Sequence, residues 1–508
     1  MKNKYIYFTK AILFVLCFHC ISDVYSEILP QDFGYSSQVD ALVDAGFIWG
    51  SNSLIHPIDY SLKRREAASS YGAFTWLKYI LDEYITLAED APSSKQNDRL
   101  SMLFIPGLGA NLQRGKASIY DDPAFYTIIW WQAKYRDNWY SRIYFRGTNE
   151  EKSLPHYTGT SEDIEGIGLD SGEFDQALIG YKNDWVNIEY GRTREIWGSM
   201  SEDNMILSGH APALDRFMLQ LHKKRLTFRY FFGFLETHFD EMDIQRYIAG
   251  RLVEYNNHKN LIIGISETSV FAGPNRSIDM AFLNPLGFHI EIDLNDRSNN
   301  IENRDNGIWG IYFDWLARSN LRLTGMIAAD EYQIGQEERN EGIADWLGYF
   351  VRIAWTPKCE PVGITLLAEA ERLDTNFGRH NYGYANLVSR GVFLGHPIGN
   401  DADRISMGIR TVFPFRVMVK IELGKYRWGD GSLIYNPYEP YETVYGVPFP
   451  SGQVRTNNFL GISIDAQPIR NFSVNISGHV DLHNSGEDSA LESWTINLYY
   501  TLPYKWEY

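Results

Sequence analysis

The stretch Asp345–Leu373, DWLGYFVRIAWTPKCEPVGITLLAEAERL, decides how the chain is read. In its first part Leu347, Tyr349, Val351, Ile353 and Trp355 fall on one side of an extended chain, and Gly348, Phe350, Arg352 and Ala354 on the other. A period of two, apolar and aromatic on one side and mixed with a charge on the other, is a β-strand signature. Thr356–Pro361 turns the chain, because Pro357 and Pro361 cannot donate to a ladder. A second strand then runs to Leu373.

The same design repeats outward from this hairpin. From Arg99 onward, short turns are predicted at Arg136–Asn138, Lys182–Asp184, His222–Lys224, Asn256–Lys259, Arg318–Asn320, Thr356–Pro361, Pro414–Arg416 and Gln467–Asn471. Longer connections alternate with them: Asn149–Asp175, Arg192–Ala213, Thr237–Gln245, Thr268–Asn306, Asp330–Ala344, Asp374–Asp403 and Arg427–Thr456. Arg114–Pro123 precedes the first turn and Leu482–Ser489 follows the last. About eighteen strands result, an even number with both ends on the short-turn side, as in outer-membrane barrels. The count requires Phe288–Leu294, which also alternates, to belong to a long loop rather than to a strand.

The faces agree with a transmembrane antiparallel β-barrel. Val417, Val419, Ile421 and Leu423 alternate with Arg416, Met418, Lys420 and Glu422. Phe472, Val474, Ile476 and Val480 alternate with Ser473, Asn475, Ser477 and His479, and Trp494, Ile496, Leu498 and Tyr500 with Ser493, Thr495 and Asn497. A lipid-facing apolar band around a polar lumen requires this pattern. A soluble sandwich or propeller, with one buried face per strand, is the alternative.

Composition is compatible with this. The chain has 508 residues, 15% of them aromatic, and a mean hydropathy of −0.31. No internal run approaches the roughly 20 apolar residues of a membrane-spanning helix, which excludes a multipass helical protein but not a barrel. Residues 1–26 read as a secretory signal peptide: Lys2, Lys4 and Lys10, then the apolar run Ala11–Cys20, then Val24-Tyr25-Ser26. A short membrane anchor is the alternative. Removing them takes away three lysines and Asp23 and moves the net charge from −17 to −19. Nucleic acid is then an unsuitable partner, since phosphates would be repelled. Of three cysteines only Cys359 remains, so an intramolecular disulfide and a cysteine metal cluster are excluded.

Residues 27–98 differ from the rest. Ser36–Ala45 is followed by Gly46, and Ser61–Glu89 carries Trp76, Leu77, Ile80, Tyr84 and Leu87 at helical spacing. A small helical unit is expected here, closed by a linker at Pro92-Ser93-Ser94.

Little in the sequence suggests catalysis. Ser208-Gly209-His210 holds a serine near a histidine, but a hydrolase needs nucleophile, base and orienting group in mutual reach. Asp330 with Glu331, or Glu195 with Asp203, would serve a glycosidase only at a defined separation. No histidine pair has zinc-ligand spacing. No cofactor and no enzyme activity are expected. The loops suit recognition better: Arg427–Thr456 carries Trp428, Tyr435, Tyr438, Tyr441 and Tyr445. Aromatic faces beside polar groups match sugar rings, although an interfacial aromatic girdle wants the same residues. Asn149–Asp175 holds eight acids against Lys152 alone. A divalent cation such as Ca²⁺ is one way for such a loop to meet an acidic polysaccharide. Arg192 and Arg194 would meet such a polymer directly. Arg142, Arg146, Arg229, Arg352 and Lys420 are candidate lumen charges, with Glu189, Glu422 and other lumen acids as their alternative partners.

Several segments resemble the Wzi family of capsule-assembly outer-membrane proteins. They are EYGRTREIWGSMSEDNMILSGHAP (Glu189–Pro212), AGRLVEYNNHKNLIIGISETSVFAG (Ala249–Gly273), FLNPLGFH (Phe282–His289), Asp305-Asn306 and LGHPIGNDADR (Leu394–Arg404), in family order. LVDAGFI (Leu42–Ile48) is similar to the start of the family's helical region. The resemblance implies a barrel of eighteen strands, a helical bundle closing its periplasmic end, and a lectin-like role in holding capsular polysaccharide without catalysis. The residues that match its motifs are Arg192, Trp197, Ser208, Glu267, Asn284, Pro285, Asn306, Gly395, His396 and Gly399; His210 lies in the same signature. It implies as partners capsular or other extracellular polysaccharide, outer-membrane lipid, lipopolysaccharide and the outer-membrane assembly machinery, with the protein a monomer whose loops lie at the cell surface. Two other readings stand beside it: a carbohydrate-permeable channel and an outer-membrane hydrolase.

Overall fold

The computed structural model describes residues 100–507, apart from 116–121, 137, 155–156, 160–167, 199–203, 240–242, 296–304, 332–343, 358–361, 414–416, 442–445, 470, 485–491 and 503. The expected signal peptide, the expected helical unit over 27–98 and Cys359 lie outside these residues.

The described chain is a closed antiparallel β-barrel of 18 strands. The first nine are β1 (Leu100–Gly115), β2 (Ala124–Tyr135), β3 (Trp139–Thr148), β4 (Ser171–Lys182), β5 (Val186–Thr193), β6 (Leu214–Lys223), β7 (Leu226–Phe234), β8 (Asp243–Asn256) and β9 (Leu261–Pro274). The rest are β10 (Asp305–Arg318), β11 (Leu321–Glu331), β12 (Trp346–Trp355), β13 (Gly363–Leu373), β14 (Ala402–Phe413), β15 (Val417–Trp428), β16 (Arg455–Ile469), β17 (Phe472–Asn484) and β18, formed by Glu492–Thr501 and Tyr504–Glu507. Each strand pairs with the next. Closure comes from β1, which pairs with β2 on one side and with both pieces of β18 on the other, from Gly115↔Ser493 down to Ser101↔Glu507. No described helix is long and apolar enough to cross a membrane.

Successive strands meet at the predicted short turns, although Pro414–Arg416 and residues 137, 358–361 and 470 lie outside the described residues, and Phe288–Leu294 is not a strand: His289–Leu294 is a short helix inside a long connection. The hairpin that opened the reading forms as expected. Tyr349, Val351, Ile353 and Trp355 of β12 are exposed on the outer wall while Phe350 and Ala354 are buried inside. The outer wall is apolar around the barrel, with Ile263 and Ile265, Ile311 and Phe313, Ile421 and Leu423, and Trp494 and Ile496 all exposed. An apolar outer band closed on itself leaves no unpaired edge and satisfies the backbone internally, which is what hydrocarbon demands of a spanning structure.

The expectation of a polar lumen is met only in part. One side of the lumen is an apolar core. Met218, Phe231, Ile248, Leu252, Val270 and Tyr312 point inward from β6–β10 and pack with loop residues that fold back into the barrel. Long connections of about 20 or more residues can return in this way, and burying their apolar side chains offsets the entropy of ordering them.

Candidate functional site

Three long connections build the filling of the lumen. Residues 194–213 contribute Trp197, Met205, Ile206 and Leu207; residues 374–401 contribute Phe377, Leu387, Val388 and Phe393; residues 429–454 contribute Leu433. Trp197 meets Phe231 edge-on at 5.4 Å. It sits over Gly250, where an added Cβ would lie 2.4 Å from the Trp197 ring. A side chain at position 250 would therefore displace this tryptophan.

Charged side chains pin the same loops. Glu195 is fully buried and meets Arg216 and Arg229, each at 2.7 Å, and accepts from the Trp197 indole at 2.7 Å. Arg246 donates to the carbonyls of Tyr384 (2.6 Å), Asn386 (3.0 Å) and Val388 (2.9 Å) and pairs with Glu236 at 2.6 Å. Glu236 also accepts from Tyr438 and, at 3.0 Å, from Ser389. Burial, with the Glu236 carboxylate beside it, pushes the Tyr438 phenol up to about 12. Arg390, at the tip of the hairpin Val388–Phe393, reaches Glu173. Asp401 accepts from Thr375 (2.8 Å), the amides of Gly431 and Ser451 (2.8 Å each) and the Ser451 hydroxyl (2.6 Å), which joins two of the loops. Burial lowers the pKa of Arg379, which donates to the carbonyls of Gly431 and Glu439, and holds the His380 imidazole down at about 4, His289 adding to the effect.

The opposite wall, β15–β18, is different. Near the long-loop end Tyr426 and Trp428 stack at 4.9 Å, and Phe459 stacks on His479 at 5.3 Å while meeting Tyr426 at 5.8 Å. Polar groups frame these rings. Asn457 donates to the Tyr426 hydroxyl at 2.8 Å and to Asp481 at 2.9 Å, and His479 lies 2.9 Å from Asp481. Arg404 sits 5.4 Å over the Phe459 ring. The His479 side chain is 41% exposed. Further toward the short-turn end a ladder of side chains crosses the closure seam: Ser463 donates to Asp465 (3.2 Å), Asn475 to Asp465 (2.7 Å), Asn497 to Asn475 (3.1 Å) and Asn111 to Asn497. Ser463, Asp465, Asn475 and Asn497 are only partly buried. Aromatic faces leading into a row of amides and carboxylates can bind apolar ring faces and hydroxyl edges in succession.

The candidate residues from the sequence divide among three places. Trp197, Ser208 and His396 are buried in the filling: Ser208 donates to the Gly395 carbonyl at 2.6 Å, and His396 lies against Phe350. Arg194 holds the Gly209 carbonyl at 2.8 Å and Asp175 at 3.3 Å, Tyr438 holds Glu236, and Asn306 faces inward opposite Val270. Trp428 alone belongs to the aromatic strip; Tyr435 and His210 are exposed on loops. Ser208 thus spends its hydroxyl on a loop carbonyl, and His210 is exposed. Glu195 is locked between two arginines, and Asp330 accepts from the Gly378 amide at 2.7 Å. The pairs Glu195–Asp203 and Asp330–Glu331 each include a residue whose side chain is not described. The candidate lumen charges have partners: Arg146 with Asp175, Arg229 with Glu195, Arg352 with Glu369 and Lys420 with Glu422, while Arg142 donates to Gln132. Of the acidic loop, Glu173 and Asp175 are neutralised by Arg390, Arg146 and Arg194. Glu162, Asp163 and Glu165 fall outside the described residues. No group of three metal-ligating side chains occurs among the described residues.

The third place is the outer wall. Arg192 pairs with Asp215 at 2.5 Å beside the exposed Tyr190 and Phe217, so it does not face a lumen ligand. Glu267 and Asn284 are also outside. Glu267 meets Arg251 at 3.2 Å and accepts from the His289 amide at 2.7 Å; Arg251 donates to the carbonyls of Phe282 and Asn284. These residues fasten the short helices α1 (Met280–Leu283) and α2 (His289–Leu294) onto β7–β10. An arginine on the lipid face of a barrel costs about 2–4 kcal/mol at mid-bilayer, so pairing and cover at Arg251 remove a real penalty.

Tyr426, Asn457, Phe459, His479 and Asp481 were not singled out as site residues. Their signal was inward parity: each falls opposite the apolar outer positions of its strand.

No family model matches the chain, and no curated protein matches its sequence. Among solved structures, Wzi of Escherichia coli, an outer-membrane protein involved in group 1 capsule assembly and described as a carbohydrate-binding β-barrel, superposes with a TM-score of 0.59. The match has 12% identity and covers 94% of this chain and 98% of that one. The shared feature is the fold. OccD3 (OpdP) of Pseudomonas aeruginosa gives a TM-score of 0.45 at 8% identity, covering 80% of this chain and 91% of that one. OccAB1 of Acinetobacter baumannii gives 0.44 at 10%, covering 81% and 98%. With its apolar outer band and closed sheet, the chain is a β-barrel of the outer-membrane type.

Proposed function

We propose that the protein is an outer-membrane lectin of the Wzi type, which binds capsular or other extracellular polysaccharide in its lumen and holds it at the cell surface without catalysis. The observation that carries this reading is the aromatic strip in which Tyr426, Trp428 and His479 are partly exposed and backed by the buried Phe459, Asn457 and Asp481, continued by the partly buried Asn/Asp ladder. A sugar chain running along it would lay its ring faces on the aromatics and its hydroxyls on the ladder. The loop filling supports binding over free passage, and the likeness in fold to a carbohydrate-binding barrel agrees with it. In this reading the long loops face outward, the protein is a monomer, and lipid and lipopolysaccharide surround the outer band. A glycan array probed with detergent-purified protein, with and without calcium, tests it. Absence of binding to every surface polysaccharide sinks it.

A second reading, a carbohydrate-permeable channel, is favoured by one observation: the inward side chains of β16–β18 are mostly polar and mostly only partly buried. Planar-bilayer recording separates the two. A lectin with a filled lumen conducts at most weakly, and a channel gives stepwise openings that sugars block.

A further inference from the structure

We propose that residues 275–295 form an external flap that lies against lipid acyl chains, completing the barrel's apolar band over a buried ion pair. Most barrel loops rise from the rim or fold inward. This one turns down over the outside. Phe282 and Ile292 are buried against the outward-facing Tyr230, Phe232, Tyr247 and Phe271, with Phe282 stacked on Phe271 at 4.3 Å. Phe288 stacks on the outward Trp309 at 5.9 Å. Close fit is required where the chain crosses β10: an added Cβ at Gly307 would lie 2.3 Å from the His289 ring.

Beneath the flap lie Arg251 and Glu267, directly opposite each other across β8 and β9 and almost fully buried. Their place in the sheet is inside the apolar band. The cross-strand ladder that contains them runs from Ile188 through Leu219 and Tyr230 to Arg251 and Glu267, then through Trp309 and Ala329 to Leu347. Every other member is apolar or aromatic. On β9 the outward residues below the pair, Ile263 and Ile265, are exposed, as is Val253 on β8. A bare wall would therefore present two charges where its neighbours present hydrocarbon.

The flap replaces those charges with apolar side chains. Met280 and Leu286 are 70% and 72% exposed, and Leu283, Phe288 and Ile290 are exposed with them. This surface is continuous with the band formed by Ile263, Ile265, Ile311 and Phe313. That continuity selects lipid as its occupant: an apolar surface is stable in an extension of the hydrocarbon layer, and amphipathic segments rest at this boundary with the apolar side toward the chains. The inference holds whether the lumen binds a glycan or conducts.

The test is depth-dependent quenching on the full chain reconstituted in liposomes, with Cys17, Cys20 and Cys359 changed to serine and one environment-sensitive fluorophore at Met280→Cys or Leu286→Cys. Ile311→Cys serves as the band control and Gly446→Cys, on an exposed loop, as the aqueous control. Quenching of both flap labels by phospholipids brominated in the acyl chain, to the extent seen at position 311 and with little quenching by iodide, is the expected result. Iodide quenching like that at position 446 overturns the proposal. Protection from both quenchers, together with a dimer in nanodisc mass measurements, overturns it in favour of a second copy as the occupant.

Discussion

The two sides of the lumen are built on different chemistry. On the β6–β13 side, inward Phe231, Ile248, Leu252 and Tyr312 meet loop residues Trp197, Leu207 and Phe377, and the ion pairs there are buried and tied to loop carbonyls. On the β15–β18 side, inward Tyr426 bonds to Asn457, His479 to Asp481, and Ser463 and Asn475 to Asp465, all along the wall. One side closes the barrel, and the other is left with faces and hydrogen-bonding groups to offer a ligand. The difference teaches that a barrel's lumen is not one environment: which loops return, and where, decides which wall is core and which is site.

Several changes would break or sharpen this contrast. The largest effect is expected at Glu195. Glu195→Ala removes the carboxylate that the buried Arg216 and Arg229 share, leaving Arg216 only its 2.8 Å pairing with Glu189, at a cost of about 3–5 kcal/mol. Thermal unfolding in detergent should show the loss, and bilayer conductance should rise as the filling loosens. Asp465→Asn, on the opposite wall, changes one hydrogen-bond partner in a partly exposed ladder and should cost about 1 kcal/mol or less in the same melt. An effect of similar size is expected at Ser208. Ser208→Ala removes the bond to the Gly395 carbonyl and should cost about 1 kcal/mol, with glycan binding unchanged.

A further effect is a pH dependence. Burial holds His380 near 4 in the folded protein, against about 6.5 for an exposed histidine. A depressed folded value means the unfolded loop binds the proton more readily. Stability from this group is therefore intact above about pH 6.5 and declines as pH falls toward 4. Amide protection factors over residues 374–401, with the intrinsic pH dependence of exchange divided out, should fall at pH 5 relative to pH 7, and His380→Gln should flatten that difference.

The strand order and the outer wall were legible in the sequence, because period-two alternation depends only on which side of a strand a residue occupies. Tyr349, Val351 and Ile353 are outside as read, and the placing of Phe288–Leu294 in a loop was right. Loop destinations were not legible. Trp197, Ser208 and Glu267 stand in similar motifs, yet the first two fill the lumen and the third holds a flap to the outer wall. Parity held part of that answer: Glu267 continues the outward series Ile263 and Ile265, and Arg192 the series Ile188 and Tyr190. The apolar half of the lumen was hidden for another reason. Inward Phe231 and Ile248 look out of place until the loops that cover them are in position.

The claim that the half-exposed wall is a glycan site is tested most directly by equilibrium titration of surface polysaccharide fragments against wild-type protein and the double variant Tyr426→Ala/Trp428→Ala. The account predicts saturable binding to the wild type and a loss of about tenfold or more, roughly 1.4 kcal/mol, in the variant, with both proteins melting alike to within about 1.5 kcal/mol. Equal affinity in the two proteins, or no binding by the wild type, would contradict it.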